Sequence, residues 1–141
     1  MSAVRFVDTN VLIYAASLSA EEAGKRRAAH ALLNREDLAL SVQVLQEFYH
    51  QVTRPSRQHP LTPEQALRFI ELLDPLRVQE ITFDVFLGAV AISRRFQLSY
   101  WDGAILAAAR TCGCDIVYSE DLSTEQDYGG LRIINPFSEV R

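Results

Sequence analysis

Apolar and polar positions along the chain follow two periodicities, which predict alternating strands and helices. Short apolar runs indicate buried strands, whereas longer segments with apolar residues at helical spacing indicate amphipathic helices. The strands are predicted at residues 4–7, 38–40, 77–81, 116–118 and 131–134. The helices are predicted at residues 11–18, 21–33, 42–52, 63 to near 74, 83–95 and 100–112. This alternation is typical of an α/β fold in which helices cover both faces of a parallel sheet.

Hydroxyl side chains mark the predicted starts of four helices, because they can accept hydrogen bonds from free N–H groups of a first turn. These residues are Ser41, Thr62, Thr82 and Ser99. Thr62 carries the strongest signal, since Pro63 follows it and Gln65 stands three positions on, which predicts a capping box. Gly113 is predicted to end the last helix.

A carboxylate interrupts the apolar run FVDTNVLIYA near the start of the chain, where the first strand ends. Burying a carboxylate among apolar side chains is costly, so Asp8 is expected at the edge of the sheet where ligands bind in such folds. Asp121 follows another strand by three residues, and Asp102 falls in the first turn of a helix. Both also have an ordinary interpretation, Asp102 as a capping partner of Ser99 and Asp121 as a loop residue.

Composition favours one globular domain over residues 1–141. The 141 residues are 48% hydrophobic, which suits one core and leaves little room for a second. Residues 1–7 do not resemble a secretory signal, and no apolar run reaches the roughly 18 residues that span a bilayer. Cys112 and Cys114 lack the spacing of a disulfide framework or a zinc site, so they are expected to be buried and inert. We therefore expect a soluble cytoplasmic protein without membrane contact.

Five segments together resemble the PIN-domain nucleases, and within them the VapC-like toxins of type II toxin-antitoxin systems. The segments are FVDTNVLIYA, SVQVLQEFYHQVTR, LSYWDGAILAAAR, IVYSEDLS and GGLRIINPF. They run in the family's order from near residue 6 to near residue 137, so the resemblance covers almost the whole chain. It implies a three-layer α/β/α sandwich with a central parallel sheet.

The family pattern, carried over residue by residue, implies an acidic cluster that is catalytic and holds divalent metal. Its members are Asp8, Glu47, Asp102 and Asp121. Glu47 enters through the resemblance alone, because a glutamate beside an apolar helix stripe is most often merely solvated. Asn10 and Ser119 match polar residues that support the cluster. Glu120 adjoins Asp121 and is an alternative ligand, although Asp121 is favoured.

A cluster of oxygen ligands suits Mg²⁺ or Mn²⁺, whereas zinc would call for histidine or cysteine. The resemblance thus implies metal-dependent endoribonuclease activity, in which the metal activates water and stabilises charge on the phosphate. The formal net charge of −4 argues at first against a nucleic-acid substrate. Removing the four proposed ligands from the 18 acids leaves 14, which equals the 14 Lys and Arg, so the remainder is neutral.

Basic and aromatic residues supply further candidates for RNA contact. Arg54 and Arg57 follow the helix that carries Glu47 and are the candidate contacts to the RNA backbone. Lys25, the single lysine, is expected on a solvated helix face. Trp101 could stack on a base, but packing of an aromatic ring beside a helix start is the commoner explanation.

The resemblance also implies partners, namely a homodimer and a cognate antitoxin protein, so that the enzyme acts as the toxin of the pair. Two alternatives stay open. One is a non-catalytic module that binds RNA or a protein on a PIN fold. The other is an RNA-processing PIN nuclease without an antitoxin.

Overall fold

The computed structural model describes residues 4–73 and 76–140, and within these ranges it contains five strands and six α-helices. The strands are β1 (Arg5–Val7), β2 (Leu38–Ser41), β3 (Arg77–Gln79), β4 (Ile116–Tyr118) and β5 (Arg132–Ile134). The helices are α1 (Thr9–Ala15), α2 (Ala23–Leu33), α3 (Val42–Thr53), α4 (Pro63–Glu71), α5 (Phe83–Phe96) and α6 (Tyr100–Thr111). The predicted alternation of strands and helices is confirmed.

The sheet has the order β3-β2-β1-β4-β5, and every neighbouring pair is parallel. All residues of β2 and of β4 are buried, and successive side chains of a strand point to opposite faces, so both faces of the sheet are covered. This is the predicted α/β/α sandwich. In the register of β1 and β4, Val7 lies opposite Tyr118, which brings the carboxyl ends of the two central strands side by side.

Several boundaries differ from the predicted ones, and α1 differs for a reason that concerns the site. This helix begins at Thr9 instead of residue 11, because the Asp8 side chain itself caps it by accepting a hydrogen bond from the Thr9 N–H. A short 3₁₀ turn, Ala20–Glu22, precedes α2, and β3 stops at Gln79. The helix α4 ends at Glu71, while the stop expected near residues 74–75 lies outside the described residues.

The predicted helix caps are confirmed. The hydroxyls of Ser41, Thr82 and Ser99 each accept a hydrogen bond from the N–H three residues on, and Thr62 forms the full capping box with Gln65. Gly113 has φ +79°, a left-handed conformation that suits glycine just beyond the end of α6.

Close packing of α6 against α5 fixes the start of α6, where Asp102 lies. A Cβ added to Gly103 would come 2.7 Å from the backbone oxygen of Ala89 and 2.8 Å from the Cβ of Ser93, so only glycine fits there. The following residues of α6, 104–109, are all buried. The two helices therefore meet along small residues, and Asp102 is held on a rigid element.

Two further predictions concern cysteines and membranes. Cys112 and Cys114 are both buried and free, as expected from their spacing. Within residues 4–73 and 76–140, none of the helices is sufficiently long and apolar to cross a bilayer.

Candidate active site

The four predicted acids lie around one open cleft at the carboxyl ends of β1 and β4. Asp8 follows β1, Asp121 lies in the loop after β4, Glu47 lies on α3, and Asp102 lies in the first turn of α6. Glu47 and Asp121 line the cleft directly, and its volume is about 610 Å³. We call this space the acidic cleft. Asp8 and Asp102 do not line it themselves, but Asp8 accepts a hydrogen bond from Asn10, which does, and Asp102 follows Trp101, which also does.

Asp8 is buried and held by neutral donors. Only 7% of the residue is exposed. Its Oδ1 accepts from the Thr9 N–H at 2.7 Å, and its Oδ2 accepts from the Ser119 hydroxyl at 2.7 Å and from the Asn10 amide at 3.4 Å. Burial raises the pKa of Asp8 to about 6, against the lowering effect of the Ser119 and Thr9 hydrogen bonds. The charges of Asp121 and Glu47 raise it further, so all three acids share one electrostatic field.

Asn10 and Ser119 join Asp8 to Asp121. The fully buried Ser119 hydroxyl, besides donating to Asp8, accepts from the N–H groups of Asp121 at 3.0 Å and Leu122 at 3.3 Å. The Asn10 amide donates to Asp121 Oδ2 at 3.2 Å, and its carbonyl accepts from the Glu120 N–H at 3.2 Å. These two side chains therefore fix the separation of the two acids, which is the supporting role that the family resemblance implies for them.

Glu47 is held by two residues that the sequence analysis did not select. The Thr9 hydroxyl donates to Glu47 Oε1 at 2.6 Å, and the Gln43 amide donates to Oε2 at 3.1 Å. The same amide donates to the backbone oxygen of Trp101 at 3.2 Å, which ties α3 to the start of α6. Gln43 is buried. Its position one helical turn before Glu47 was the available signal, since residues four apart share a helix face.

Asp102 combines its ordinary role with a place in the acidic field. Its N–H donates to the Ser99 hydroxyl at 3.1 Å, which is one half of the predicted capping pair. Burial raises the pKa of Asp102, the hydrogen bond with Ser99 lowers it, and the charges of Asp121 and Glu47 raise it again. The charges of Asp121 and Glu47 therefore act on Asp102 as they act on Asp8.

Glu120, the alternative to Asp121, is engaged elsewhere. Its carboxylate accepts from the Tyr14 hydroxyl at 2.7 Å and pairs with the Lys25 ammonium at 2.5 Å. Lys25 is therefore not a merely solvated residue, and that expectation was wrong. The ion pair joins α2 to the loop after β4, and such a long-range contact gives no local signal in the sequence.

The remaining candidates for RNA contact fall in two places. Arg54 and Arg57 lie in a separate concavity beyond the end of α3, which Glu21 and Glu22 also line, so the structure does not bring them to the acidic cleft. Trp101 is 64% exposed at the rim of that cleft, with its ring edge against Tyr100. The expected packing beside the helix start is confirmed, although it leaves Trp101 largely exposed.

The side chains of the cleft fit a hard divalent cation. Among residues 4–73 and 76–140, no three acidic, histidine or cysteine side chains are close enough to hold a metal ion unaided. Mg²⁺ does not need such a cage, since it keeps several waters and binds one or two carboxylates together with substrate phosphates. The available ligands are oxygens, and the groups that donate to the buried Asp8 are all neutral. A cation would therefore offset charge that the protein leaves uncompensated.

Comparison with known proteins agrees with this fold. The model of the PIN domain family matches residues 5–126. A toxin-antitoxin complex from Klebsiella pneumoniae contains a chain with 22% identity and a TM-score of 0.68, covering 96% of this chain and 98% of that one. VapC20 of Mycobacterium tuberculosis, described as a sarcin-ricin loop cleaving toxin, has 22% identity and a TM-score of 0.63 over 83% and 89%. A DNA-bound VapBC from Salmonella typhimurium has 20% identity and a TM-score of 0.67 over 96% and 99%. 

None of the curated proteins matches the chain. The family match nevertheless spans most of the sequence, including all four acids of the cleft. The structural neighbours share the same fold over nearly their whole length. This protein belongs to the PIN domain family.

Proposed function

We propose that this protein is a metal-dependent endoribonuclease that hydrolyses RNA phosphodiester bonds and acts as the toxin of a toxin-antitoxin pair. The observation that carries the proposal is the convergence of Asp8, Glu47 and Asp121 in one electrostatic field at the open end of the sheet. An uncharged binding surface would not need to gather carboxylates whose mutual repulsion costs stability. The whole chain, residues 1–141, would form the single nuclease domain and act in the cytoplasm.

Each of the four acids would have a part in binding the metal ion. Asp8 and Asp121 would hold Mg²⁺ or Mn²⁺ from the two central strands, with Glu47 and Asp102 facing it from α3 and α6. When bound, the ion supplies a water of lowered pKa and stabilises negative charge on the phosphate oxygens. At neutral pH most Asp8 side chains are ionised, because the pKa is about 6, so the site is ready to bind a cation.

The supporting residues keep the carboxylates in place without neutralising them. Thr9 and Gln43 orient Glu47, while Asn10 and Ser119 set the spacing of Asp8 and Asp121. Uncharged donors leave the full negative charge available to a cation. This is the arrangement that a metal-dependent site requires, since a lysine or arginine in those positions would compete with the metal.

The RNA substrate would enter across the rim of the acidic cleft. The exposed Trp101 offers a ring on which a base can stack, next to the residues that line the cleft. Arg54 and Arg57 would contact the RNA backbone farther along, beyond the end of α3. The structural neighbours include toxins and toxin-antitoxin complexes, which supports an antitoxin as the partner of this chain.

An exposed apolar face supports the expected homodimer. Phe83, Phe86 and Leu87 on the first turns of α5 are exposed, with Phe83 72% accessible, and Ile81 precedes them. Clustered apolar side chains of this kind mark interaction surfaces. Light scattering of the purified protein should give twice the chain mass, and Phe83→Ser with Leu87→Ser should shift it to the monomer mass. A monomer at micromolar concentration without substitutions would contradict the homodimer.

The test of the nuclease is cleavage of a structured RNA mixture by purified protein with Mg²⁺ or Mn²⁺ and with chelator. The proposal predicts cutting that needs the metal and that Asp8→Asn lacks. Glu64→Gln is the matched control, because Glu64 is an exposed acid in the first turn of α4 and is not among the residues that line the acidic cleft. Absence of cutting by the wild type, with metal binding demonstrated, would favour a non-catalytic binding module.

A further inference from the structure

The single lysine of the chain belongs to a cluster of side chains beside the acidic cleft. This cluster is distinct from the set of proposed catalytic acids. Lys25 on α2 contacts Glu120 at 2.5 Å and the Tyr14 hydroxyl at 3.1 Å. Its ammonium also lies 4.6 Å from the centre of the Tyr14 ring and 5.8 Å from that of Phe137. The Tyr14 hydroxyl completes the cluster by donating to Glu120 at 2.7 Å. We call these residues the lysine cluster.

The lysine cluster determines where the Glu120 carboxylate points. Glu120 and Asp121 are adjacent, yet their side chains are held by different partners, Glu120 by Lys25 and Asp121 by Asn10. The intervening backbone is held as well, because the Glu120 N–H donates to Asn10 and the Asp121 N–H donates to Ser119. Two neighbouring carboxylates are thus directed to different sides of one short loop.

This separation matters because a fifth carboxylate would disturb the cleft. The Glu120 side chain is 26% exposed, so the Lys25 ammonium and the Tyr14 hydroxyl replace much of its contact with water. Without the ion pair with Lys25, Glu120 could turn toward a cation bound in the acidic cleft, and this movement would strain the hydrogen bonds that hold the loop carrying Asp121. The ion pair between Lys25 and Glu120 is partly shielded from solvent, and the rings of Tyr14 and Phe137 hold the Lys25 ammonium in place.

We infer that Lys25 is a positioning residue for the nuclease site: by pairing with Glu120 it keeps that carboxylate out of the acidic cleft and leaves Asp121 to face the metal. This inference rests on the proposed function. It assigns the lysine no contact with RNA or metal. Its effect passes through Glu120, and therefore the consequences of losing Lys25 should depend on whether residue 120 is charged.

Mn²⁺ binding and RNA cleavage by the wild type and three variants test the inference. Lys25→Met should weaken Mn²⁺ binding, measured by calorimetry, and lower the cleavage rate about 10- to 100-fold, the usual range for residues that orient metal ligands. Lys25→Met combined with Glu120→Gln should return both quantities to within about threefold of wild type, because no stray carboxylate remains. Arg27→Met is the matched control, since Arg27 is an exposed cation two positions along the same helix, and it should change neither quantity.

The direction of the change in Mn²⁺ affinity distinguishes a positioning role of Lys25 from a purely electrostatic effect of its charge. Removing a nearby cation should by itself tighten the binding of a metal ion, whereas misplacing Asp121 should weaken it. Tighter binding by Lys25→Met would therefore overturn the inference. A double variant as impaired as Lys25→Met would overturn it too and would indicate that Lys25 contacts the substrate directly.

Measurements on the wild type distinguish a failure of this inference from a failure of the proposed nuclease function. Wild-type protein that binds Mn²⁺ and cleaves RNA, together with a Lys25→Met variant that does both equally well, would overturn the inference alone. Wild-type protein that neither binds Mn²⁺ nor cleaves would overturn the proposed function and the inference together.

Discussion

Asp8 and Asp121 follow adjacent strands of one sheet and share the Ser119 hydroxyl, yet their surroundings differ. Asp8 is buried, receives three hydrogen bonds from neutral groups and has its pKa raised to about 6, chiefly by burial. Asp121 is exposed at the cleft. The two acids therefore offer the same chemistry to a ligand, while the energetic cost of placing negative charge at this end of the sheet falls mainly on Asp8.

For the proposed metal-dependent nuclease, this difference means that the site is rigid and yet energetically costly without metal. Burial fixes Asp8 in one orientation but disfavours its charge, so a bound cation would repay a cost already present in the fold. Asp121 stays hydrated, so its carboxylate can serve as a ligand with little desolvation cost. Variants that remove either acid should have similar effects on activity and different effects on stability.

The largest expected effect is the loss of cleavage in both Asp8→Asn and Asp121→Asn. Losing several kcal/mol of metal-based stabilisation of the transition state lowers the rate on the order of 10³-fold. Their stabilities without metal should differ, since Asp8→Asn removes a buried charge and should gain roughly 1–3 kcal/mol at neutral pH, while Asp121→Asn should stay within about 0.5 kcal/mol. Urea denaturation in chelator measures this, and equal stabilities of the two variants would contradict the comparison.

A second effect is a fall in the free energy of unfolding as pH rises from about 4 to about 6. The pKa of Asp8 is 3.8 when unfolded and about 6 when folded, so the folded protein retains a proton that the unfolded chain has released. Stabilisation by this proton is complete below the lower value and lost above the higher one, and the shift corresponds to roughly 3 kcal/mol. The raised pKa of Asp102 acts in the same direction.

The measurement is the difference in free energy of unfolding between wild type and Asp8→Asn across this pH range, without metal. Subtracting the variant removes the contributions of titrating groups that lie apart from Asp8. The difference should grow in favour of Asp8→Asn as pH rises. A difference that stays constant would contradict the burial cost assigned to Asp8.

A smaller effect is expected from Ser119→Ala, which removes the group that Asp8 and Asp121 share. It leaves the buried Leu122 N–H and the Asp121 N–H without their acceptor, and it should destabilise the fold by about 1–3 kcal/mol. Cleavage should fall about 10- to 100-fold. Ser123→Ala is the control, because Ser123 is an exposed hydroxyl in the same loop. If both substitutions had the same effect, the shared hydrogen bonds would not set the site geometry.

The parts of the fold that depend on local chemistry could be predicted from the sequence. Strands, helix caps and the place of Asp8 follow from apolar periodicity and from the cost of burying a carboxylate. The start of α1 was misplaced because Asp8 serves both as its cap and as a site residue. In the same way, Asp102 looked like an ordinary capping partner of Ser99.

Long-range contacts could not be predicted in this way. Thr9 reaches Glu47 across 38 positions, and Lys25 reaches Glu120 across 95. Neither pair has a spacing that a helix or strand would impose, so only the folded chain brings them together. Glu47 was selected through family resemblance. Its donor Thr9 was missed because no local spacing links the two residues, whereas Gln43, one helical turn before Glu47, could have been found from helical spacing.

The most direct test of the central claim, that these acids form one metal site, is thermal unfolding of wild type, Asp8→Asn and Asp121→Asn over a Mn²⁺ titration. Metal at 100 times its dissociation constant should stabilise the wild type by about 2.7 kcal/mol. The account predicts that both variants lose most of this gain, although they start from different stabilities. Equal stabilisation of all three proteins by Mn²⁺, or none for the wild type, would contradict it.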